Sequence, residues 1–316
     1  MKKQFTGFSK IFSFTFTQHV KSKGYKNTTL TIAILCLLLP ALVMFGIEYL
    51  GDKDKGVTEQ GGAAAEENIA EEEAFAAMDE LCLLYTSGPK VGVPRILDML
   101  DRQQLKATFF IPGWVIEKHT ETCREIVRRG HEIGYHGYLH EKAWFPEQDR
   151  ELVEKSKKIM KDLLGVEPLG YRAPEANLTA ETIANVMASG FEYSSNTMDC
   201  DWPYYHEGEN GQKLIELPFS WLYDDTSHFF FTLQQPERRR ICSPQYVRDI
   251  WQSEFDGLYE EGGLLNFVLH PQCIGRISRV KMLEDLICYM KTKPGVAIGP
   301  ALEISRLARE ALEQNK

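Results

Sequence analysis

The stretch His131-Glu-Ile-Gly-Tyr-His-Gly-Tyr-Leu-His140-Glu141 decides how this chain is read. It follows a helix-like segment that closes at Gly130. Within it, Glu132-Ile-Gly-Tyr135 reads as a short buried strand, and His136 and His140 fall at its C-terminal end, where the chain turns. In folds of alternating strands and helices, that end is where sites form. A His-x-x-x-His pair on a turn can bring two imidazole nitrogens onto one divalent metal. The alternative is a pair of surface histidines on a loop.

Working outward from this stretch, strand and helix patterns alternate. Upstream, Val93, Ile96, Leu97 and Leu100 have helical spacing, and Ala107-Thr-Phe-Phe-Ile111 is a β-rich run stopped by Pro112-Gly113. Residues 115–129 form an amphipathic pattern closed by Gly130. Downstream, 146–164 is a charged helix with Leu152, Ile159, Leu163 and Leu164 on one side. Next come a short strand at 170–172 and a helix over 179–189 with Thr179 as its N-cap. Strands are expected at 191–194, 214–217 and 264–269, and helices at 243–261 and 278–290, the last of them final in the chain. This alternation implies a parallel sheet covered by helices, as an open α/β sheet or a barrel, in a single domain of barrel size over 88–312.

The N-terminal part of the 316-residue chain is unlike the rest. Residues 1–27 carry Lys2, Lys3, Lys10, Lys21, Lys23 and Lys26 and no acid, and 30–47 runs without a charge. Such a run is just long enough to cross a bilayer, so a transmembrane helix is expected over 28–50, with the lysine side in the cytoplasm and the chain membrane-anchored. A buried globular helix is the alternative. Residues 51–80 are acidic and alanine-rich, a solvated linker or lone helix. They supply much of the net charge of −9, so that charge says little about the partners of the domain. Neither a basic patch with interleaved aromatics nor a nucleic-acid motif is present.

The seven cysteines (Cys36, Cys82, Cys123, Cys200, Cys242, Cys273 and Cys288) are scattered and form no Cys-x-x-Cys, which suits a reduced, cytoplasmic domain. That conflicts with the external placement implied by a membrane helix and suggests two pieces of separate origin. Residues 1–50 resemble the first membrane segment of a bacterial transporter permease. Leu81-Cys-Leu-Leu-Tyr-Thr-Ser87 resembles a translated sequencing-adapter peptide, so an artificial junction is expected within a linker over 51–87.

The strand ends deliver polar residues to one place: His136 and His140, Arg172-Ala-Pro-Glu175, Asp199-Cys-Asp-Trp202 and Leu269-His270-Pro271. A metal site of this kind usually adds a carboxylate as third ligand. The metal brings a bound water toward neutral pKa, and a base must take its proton. Arg172 can orient such a base or hold a carboxylate, and His270 is the natural acid for a leaving nitrogen.

With these residues in place, 91–312 resemble the polysaccharide deacetylases with a NodB-homology domain, in the branch of peptidoglycan-deacetylase-like and allantoinase-like proteins. The resemblance rests on Ala107-Thr-Phe-Phe-Ile-Pro-Gly113, the His136–His140 block, Gly170-Tyr-Arg-Ala-Pro-Glu175, Glu216-Leu-Pro-x-Ser-Trp-x-x-Asp-Asp225 and Leu269-His-Pro-Gln-x-x-Gly-Arg276. It implies a distorted (β/α) barrel of fewer than eight strands and metal-dependent hydrolysis of carbon–nitrogen bonds other than peptide bonds. It further implies His136 and His140 as metal ligands, Arg172 as orienter of the base and His270 as general acid. Trp202, Glu175, Trp221, Asp224 and Asp225 would line the substrate cleft. Zinc suits two imidazoles and a carboxylate best. N-acetylated sugars, peptidoglycan and small ring amides all fit as substrates.

One departure matters. The family opens with a strand ending in paired aspartates of the Thr-Phe-Asp-Asp kind, just upstream of the position of Gly88. Here Asp79 is the nearby aspartate; it follows a helix-like alanine stretch and has no partner. The first strand and the third ligand are therefore expected to be missing, leaving an exposed sheet edge and the option of a homo-oligomer. Two readings stay open: a hydrolase whose aspartates are lost from this copy, and a non-catalytic, membrane-tethered glycan-binding domain. A transporter fragment is disfavoured, because no second long apolar run exists.

Overall fold

The computed structural model describes residues 88–141, 146–208, 211–231 and 241–314, with backbone only for 146–149. The expected membrane helix, the acidic linker, the junction and Asp79 lie outside these residues. Among the described residues, no helix is long and apolar enough to cross a membrane.

The chain enters through one π-helical turn, Gly88–Gly92, which runs into α1 (Val93–Arg102). Helix α1 buries Val93, Ile96, Leu97, Met99 and Leu100, the spacing that predicted it. Strand β1 (Thr108–Ile111) follows. The helix expected over 115–129 is two pieces, α2 (Gly113–Lys118) and α3 (Thr120–Arg128). His119 leaves helical dihedrals at the break (φ −125°, ψ 39°), where the Thr120 hydroxyl donates back to the Ile116 carbonyl at 2.8 Å. Strand β2 (Glu132–Tyr135) and helix α4 (Pro146–Leu164) match their expected bounds.

Strand β3 (Gly170–Tyr171) precedes α5 (Ala180–Ala188). Thr179 caps α5 by accepting from the Thr182 amide at 3.1 Å. Strand β4 is Tyr193–Ser194, and two further strands, β5 (Tyr204–Glu207) and β6 (Lys213–Glu216), form a hairpin. Helix α6 (Pro244–Glu261) is capped by Ser243 and closed by Gly262 at φ 74°, and α7 (Ile277–Lys291) follows. A further helix, α8 (Ala301–Gln314), lies beyond the one expected to be last.

The sheet order is β1-β2-β3-β4-β6-β5. All pairings are parallel except β5 with β6. This is the covered α/β sheet that the alternation implied. Among the described strands it does not close into a barrel, and β1 is an edge. Among the described residues, the strand expected at 264–269 makes one bridge, Val268 beside Asp224. The reason is local: the Val268 amide donates to the Tyr223 carbonyl (3.2 Å) and its carbonyl accepts from the Asp225 amide (3.0 Å), and the neighbouring chain then turns into a helix.

Three apolar clusters fill the two faces. One joins α1, α6 and α7 through Met99, Trp251 and Leu286; another joins α2, α3 and α4 through Ile116, Ile126 and Met160. Side chains buried this fully contribute about 1.5–3 kcal/mol each. The third centres on Tyr193, Ile215 and Leu217, onto which α8 lays Leu302, Ile304 and Leu312. Gly170 lets the sheet pass Tyr193: a Cβ there would stand 2.0 Å from the Tyr193 Cζ. The parallel strands all point the same way, so the segments that follow β2, β3, β4 and β6 gather at one end.

Candidate active site

The turn after β2 is built by Glu141, whose carboxylate accepts from the amides of Tyr138 (3.0 and 3.1 Å) and Leu139 (2.6 Å). Gly137 takes φ 78°, and His140 sits at φ 64°, a conformation uncommon for a side chain of its size. The turn brings the His136 and His140 rings to a centroid separation of 4.9 Å at 77°. Nδ1 of His136 lies 2.8 Å from the Arg172 carbonyl. A carbonyl only accepts, so Nδ1 carries the proton and Nε2 holds the lone pair. Burial pushes the His136 imidazole down to about 3, with like charge from His140 adding to it. Burial lowers His140 as well, against the opposing charge of Glu175, although part of that ring meets solvent. Both rings are thus neutral at neutral pH, the form that binds metal. His270 is close enough that its charge pushes both downward.

His270 is held by Asp225. The Asp225 carboxylate is fully buried and accepts from the His270 amide (3.0 and 3.1 Å) and from Nδ1 (2.7 Å). Burial alone would lower the His270 imidazole, but the Asp225 hydrogen bond and charge raise it overall. Burial pushes the Asp225 carboxyl up against the pull of His270. Asp224, also buried, accepts from the Thr226 amide at 2.7 Å and from the Thr226 hydroxyl. Both aspartates were expected to line a cleft. They lie beneath the surface instead, because hydrogen bonds turn them inward.

Arg172 was expected to hold a carboxylate or orient a base. Its hydrogen bonds run to neutral oxygens: Nε to the Ser195 carbonyl (3.1 Å), and Nη2 to the Ser195 hydroxyl (2.6 Å) and Asn266 Oδ1 (3.4 Å). The guanidinium lies over Phe110 and Phe219, with its carbon 4.7 and 5.4 Å from the ring centroids. Burial lowers it to about 10.

Asn266 donates to Ser195 Oγ (3.0 Å) and to the carbonyls of Leu217 and Pro218 (3.1 Å each), tying three strand ends together. Glu216 is a second hub. It accepts from the amides of Asn196 and Thr197 (the latter at 2.9 Å), and its Oε2 lies 3.0 Å from Nε2 of His206. Burial would raise its carboxyl, but these bonds hold it below the ordinary range. Sequence reasoning passed over Ser195, Asn266 and His206; only the polar Asn266 inside the apolar run 264–269 marked the place.

Trp202 and Trp221 are 45% and 46% exposed, and Glu175 is exposed at φ 54°. All three lie on segments at the C-terminal end of the sheet, where a cleft was expected.

Two neutral imidazoles, one with its tautomer fixed by a carbonyl, fit two positions of a divalent metal. Among the described residues, no Asp, Glu or Cys completes a three-donor set with them. The set of three donors within 4.8 Å of one another is Asp224, Asp225 and His270, and hydrogen bonds already engage its atoms.

A family profile described as polysaccharide deacetylase matches residues 78–194. A peptidoglycan deacetylase of Helicobacter pylori is 31% identical over 234 residues, covering 66% of this chain and 80% of that protein. A solved structure from Mycobacterium smegmatis, described as a polysaccharide deacetylase, superposes with a TM-score of 0.72 at 32% identity, covering 76% of this chain and 85% of that one. An allantoinase structure superposes with a TM-score of 0.63 at 28% identity, covering 72% and 75%. Identity of this degree over four-fifths of the Helicobacter protein, together with the shared fold, settles kinship: the chain belongs to the polysaccharide deacetylase family.

Proposed function

We propose that this domain, residues 88–312, is built for metal-dependent hydrolysis of carbon–nitrogen bonds other than peptide bonds, with N-acetylated carbohydrate such as peptidoglycan as the substrate class. The observation that carries this reading is the convergence of the neutral His136–His140 pair with a histidine held by a buried aspartate, His270 on Asp225. His136 and His140 would hold the metal, zinc being the best match to imidazole ligands. When bound, the metal lowers the pKa of a water and polarises the amide carbonyl. His270, held by Asp225 and with its imidazole raised by that carboxylate, would give a proton to the leaving nitrogen. Arg172 acts as a positioning residue, since its backbone carbonyl fixes the His136 tautomer. Trp202 and Trp221 offer exposed faces for a sugar ring, and Glu175 stands beside His140.

The substrate class rests on the name of the Helicobacter pylori relative; the allantoinase relative keeps small ring amides as the alternative. A second reading has its own support. Because no carboxylate completes a three-donor set with the imidazole pair among the described residues, the domain can serve as a non-catalytic glycan binder. A membrane tether over 28–50 accompanies either reading and rests on the charge-free run 30–47.

Elemental analysis of the purified full chain, beside hydrolysis of N-acetylated chitooligosaccharide, peptidoglycan and allantoin, tests this. About one zinc per chain, lost in His136→Ala, with acetate released from a glycan, supports the hydrolase. Glycan binding without metal or turnover supports the binder and sinks the hydrolase for this chain.

A further inference from the structure

The peptide group between Arg172 and Ala173 is gripped at both ends. Its carbonyl accepts from Nδ1 of His136 at 2.8 Å. Its N–H, on Ala173, donates to Oδ1 of Asn196 at 2.6 Å. A peptide group is planar, so bonds at its two ends fix its tilt and thereby the direction of the carbonyl that His136 meets. The two bonds also reinforce each other, because a peptide whose N–H is engaged becomes a better acceptor at its oxygen.

Asn196 stands where ordinary sheet pairing would have put a backbone group. Strands β3 and β4 pair Tyr171 with Ser194, and the Ser195 amide donates to the Tyr171 carbonyl at 3.0 Å. A continued ladder would give the Ala173 amide to the Ser195 carbonyl. That carbonyl accepts instead from Nε of Arg172 at 3.1 Å, and the Asn196 side chain takes its place.

The Asn196 side chain has no freedom to swing away. Its oxygen must face the Ala173 N–H, and its Nδ2 then donates to Ser194 Oγ at 2.7 Å. From behind, the Glu216 carboxylate accepts from the backbone amides of Asn196 and, at 2.9 Å, Thr197. Ser194, Asn196 and Glu216 are all buried, so water does not compete for these bonds.

We propose that Asn196 is a positioning residue for His136, acting through the Arg172–Ala173 peptide group. It keeps the carbonyl aimed at Nδ1, so the proton stays there and the Nε2 lone pair stays free. Side chains that orient a metal-binding histidine usually touch the imidazole itself; here one planar peptide stands between them. The bearing on metal affinity rests on the proposed function, whereas the tautomer does not.

Nitrogen-15 NMR of the His136 imidazole in the metal-free full chain tests this. The unmodified protein should show a protonated Nδ1 and a bare Nε2, and the reverse pattern overturns the proposal without any variant. Asn196→Ala removes the acceptor and should give a mixture containing the Nε2–H form. Asn196→Asp keeps an oxygen for Ala173 and should retain the Nδ1–H form, even though a buried charge lowers its denaturation midpoint. Should Asn196→Ala not fold, Asn196→Ser is read in the same way, since its hydroxyl falls short of the Ala173 amide. A tautomer unchanged in the folded variant that lacks the acceptor reduces Asn196 to a stability role and overturns the proposal. Zinc titration separates this from the function: binding about tenfold weaker in Asn196→Ala than in the unmodified chain supports both. An unmodified chain that takes no zinc removes the metal reading and leaves the tautomer to decide the role of Asn196.

Discussion

Asp225 and His270, 45 residues apart in sequence, are joined through both backbone and side chain: the His270 amide and Nδ1 both donate to the one buried carboxylate. The backbone bond fixes where the histidine stands, and the side-chain bond fixes which nitrogen faces outward. A single aspartate thus sets position, tautomer and basicity together.

Asp225→Asn should disturb all three. One amide oxygen replaces two acceptors, and its NH2 group meets a donor in a buried place. A stability loss of about 2–4 kcal/mol is expected in urea denaturation. The His270 titration, followed by NMR, should move to lower pH. An unchanged His270 titration would show that Asp225 does not govern it.

Acid stability should carry the mark of His136. In the denatured chain an imidazole takes its proton near 6.5, while the folded one refuses it until about 3. Between those values the denatured state binds more protons, so stability falls as pH drops. His270 acts in the opposite sense: its raised pKa adds stability below about 6.5 that is lost as pH rises through its folded value. The metal-free protein should therefore lose urea resistance from pH 6.5 downward more steeply than His136→Gln does. Parallel curves for the two would contradict the burial argument.

Gly170→Ala should destabilise the sheet. The new methyl would lie 2.0–2.5 Å from three Tyr193 ring and hydroxyl atoms, and that ring is fully buried and anchored to Glu132 at 2.7 Å. With no room to yield, a cost of about 1–3 kcal/mol or more is expected. A denaturation midpoint within error of the parent would mean that the ring moves freely.

Arg172→Lys should not behave as a conservative change. Lysine cannot span the Ser195 carbonyl, the Ser195 hydroxyl and Asn266 with one planar fork, nor lie flat between Phe110 and Phe219. About 2 kcal/mol of stability should go, read by thermal or urea unfolding. Equal stability would mean that charge alone matters there.

Much of this was legible in the residues. The bounds of β2 and α4, the Thr179 cap and the histidine turn follow from short-range patterns, which a linear sequence states directly. What failed depends on partners. The run 264–269 has the composition of a strand, but pairing is a property of its neighbours, and among the described residues the backbone of Val268 pairs with 223–225. Strand β5 is an edge with no fully buried side chain, so its pattern is faint. Helix α8 offers few apolar contacts in a polar run. The site shows the same division: His136 and His140 stand four residues apart, whereas the contact of Asn266 with Ser195 crosses 71 residues.

Arg172 has a last consequence. Among the described residues its hydrogen bonds end on uncharged oxygens, and the carboxylates of Glu216 and Asp224 favour its charge only through space. The neighbouring imidazoles are neutral as well. Adding a divalent ion to such surroundings accumulates like charge in a poorly solvated interior. An added anion, whether hydroxide, acetate or a further carboxylate from the chain itself, offsets that charge. Small anions and zinc should therefore bind this domain cooperatively, each raising the affinity for the other.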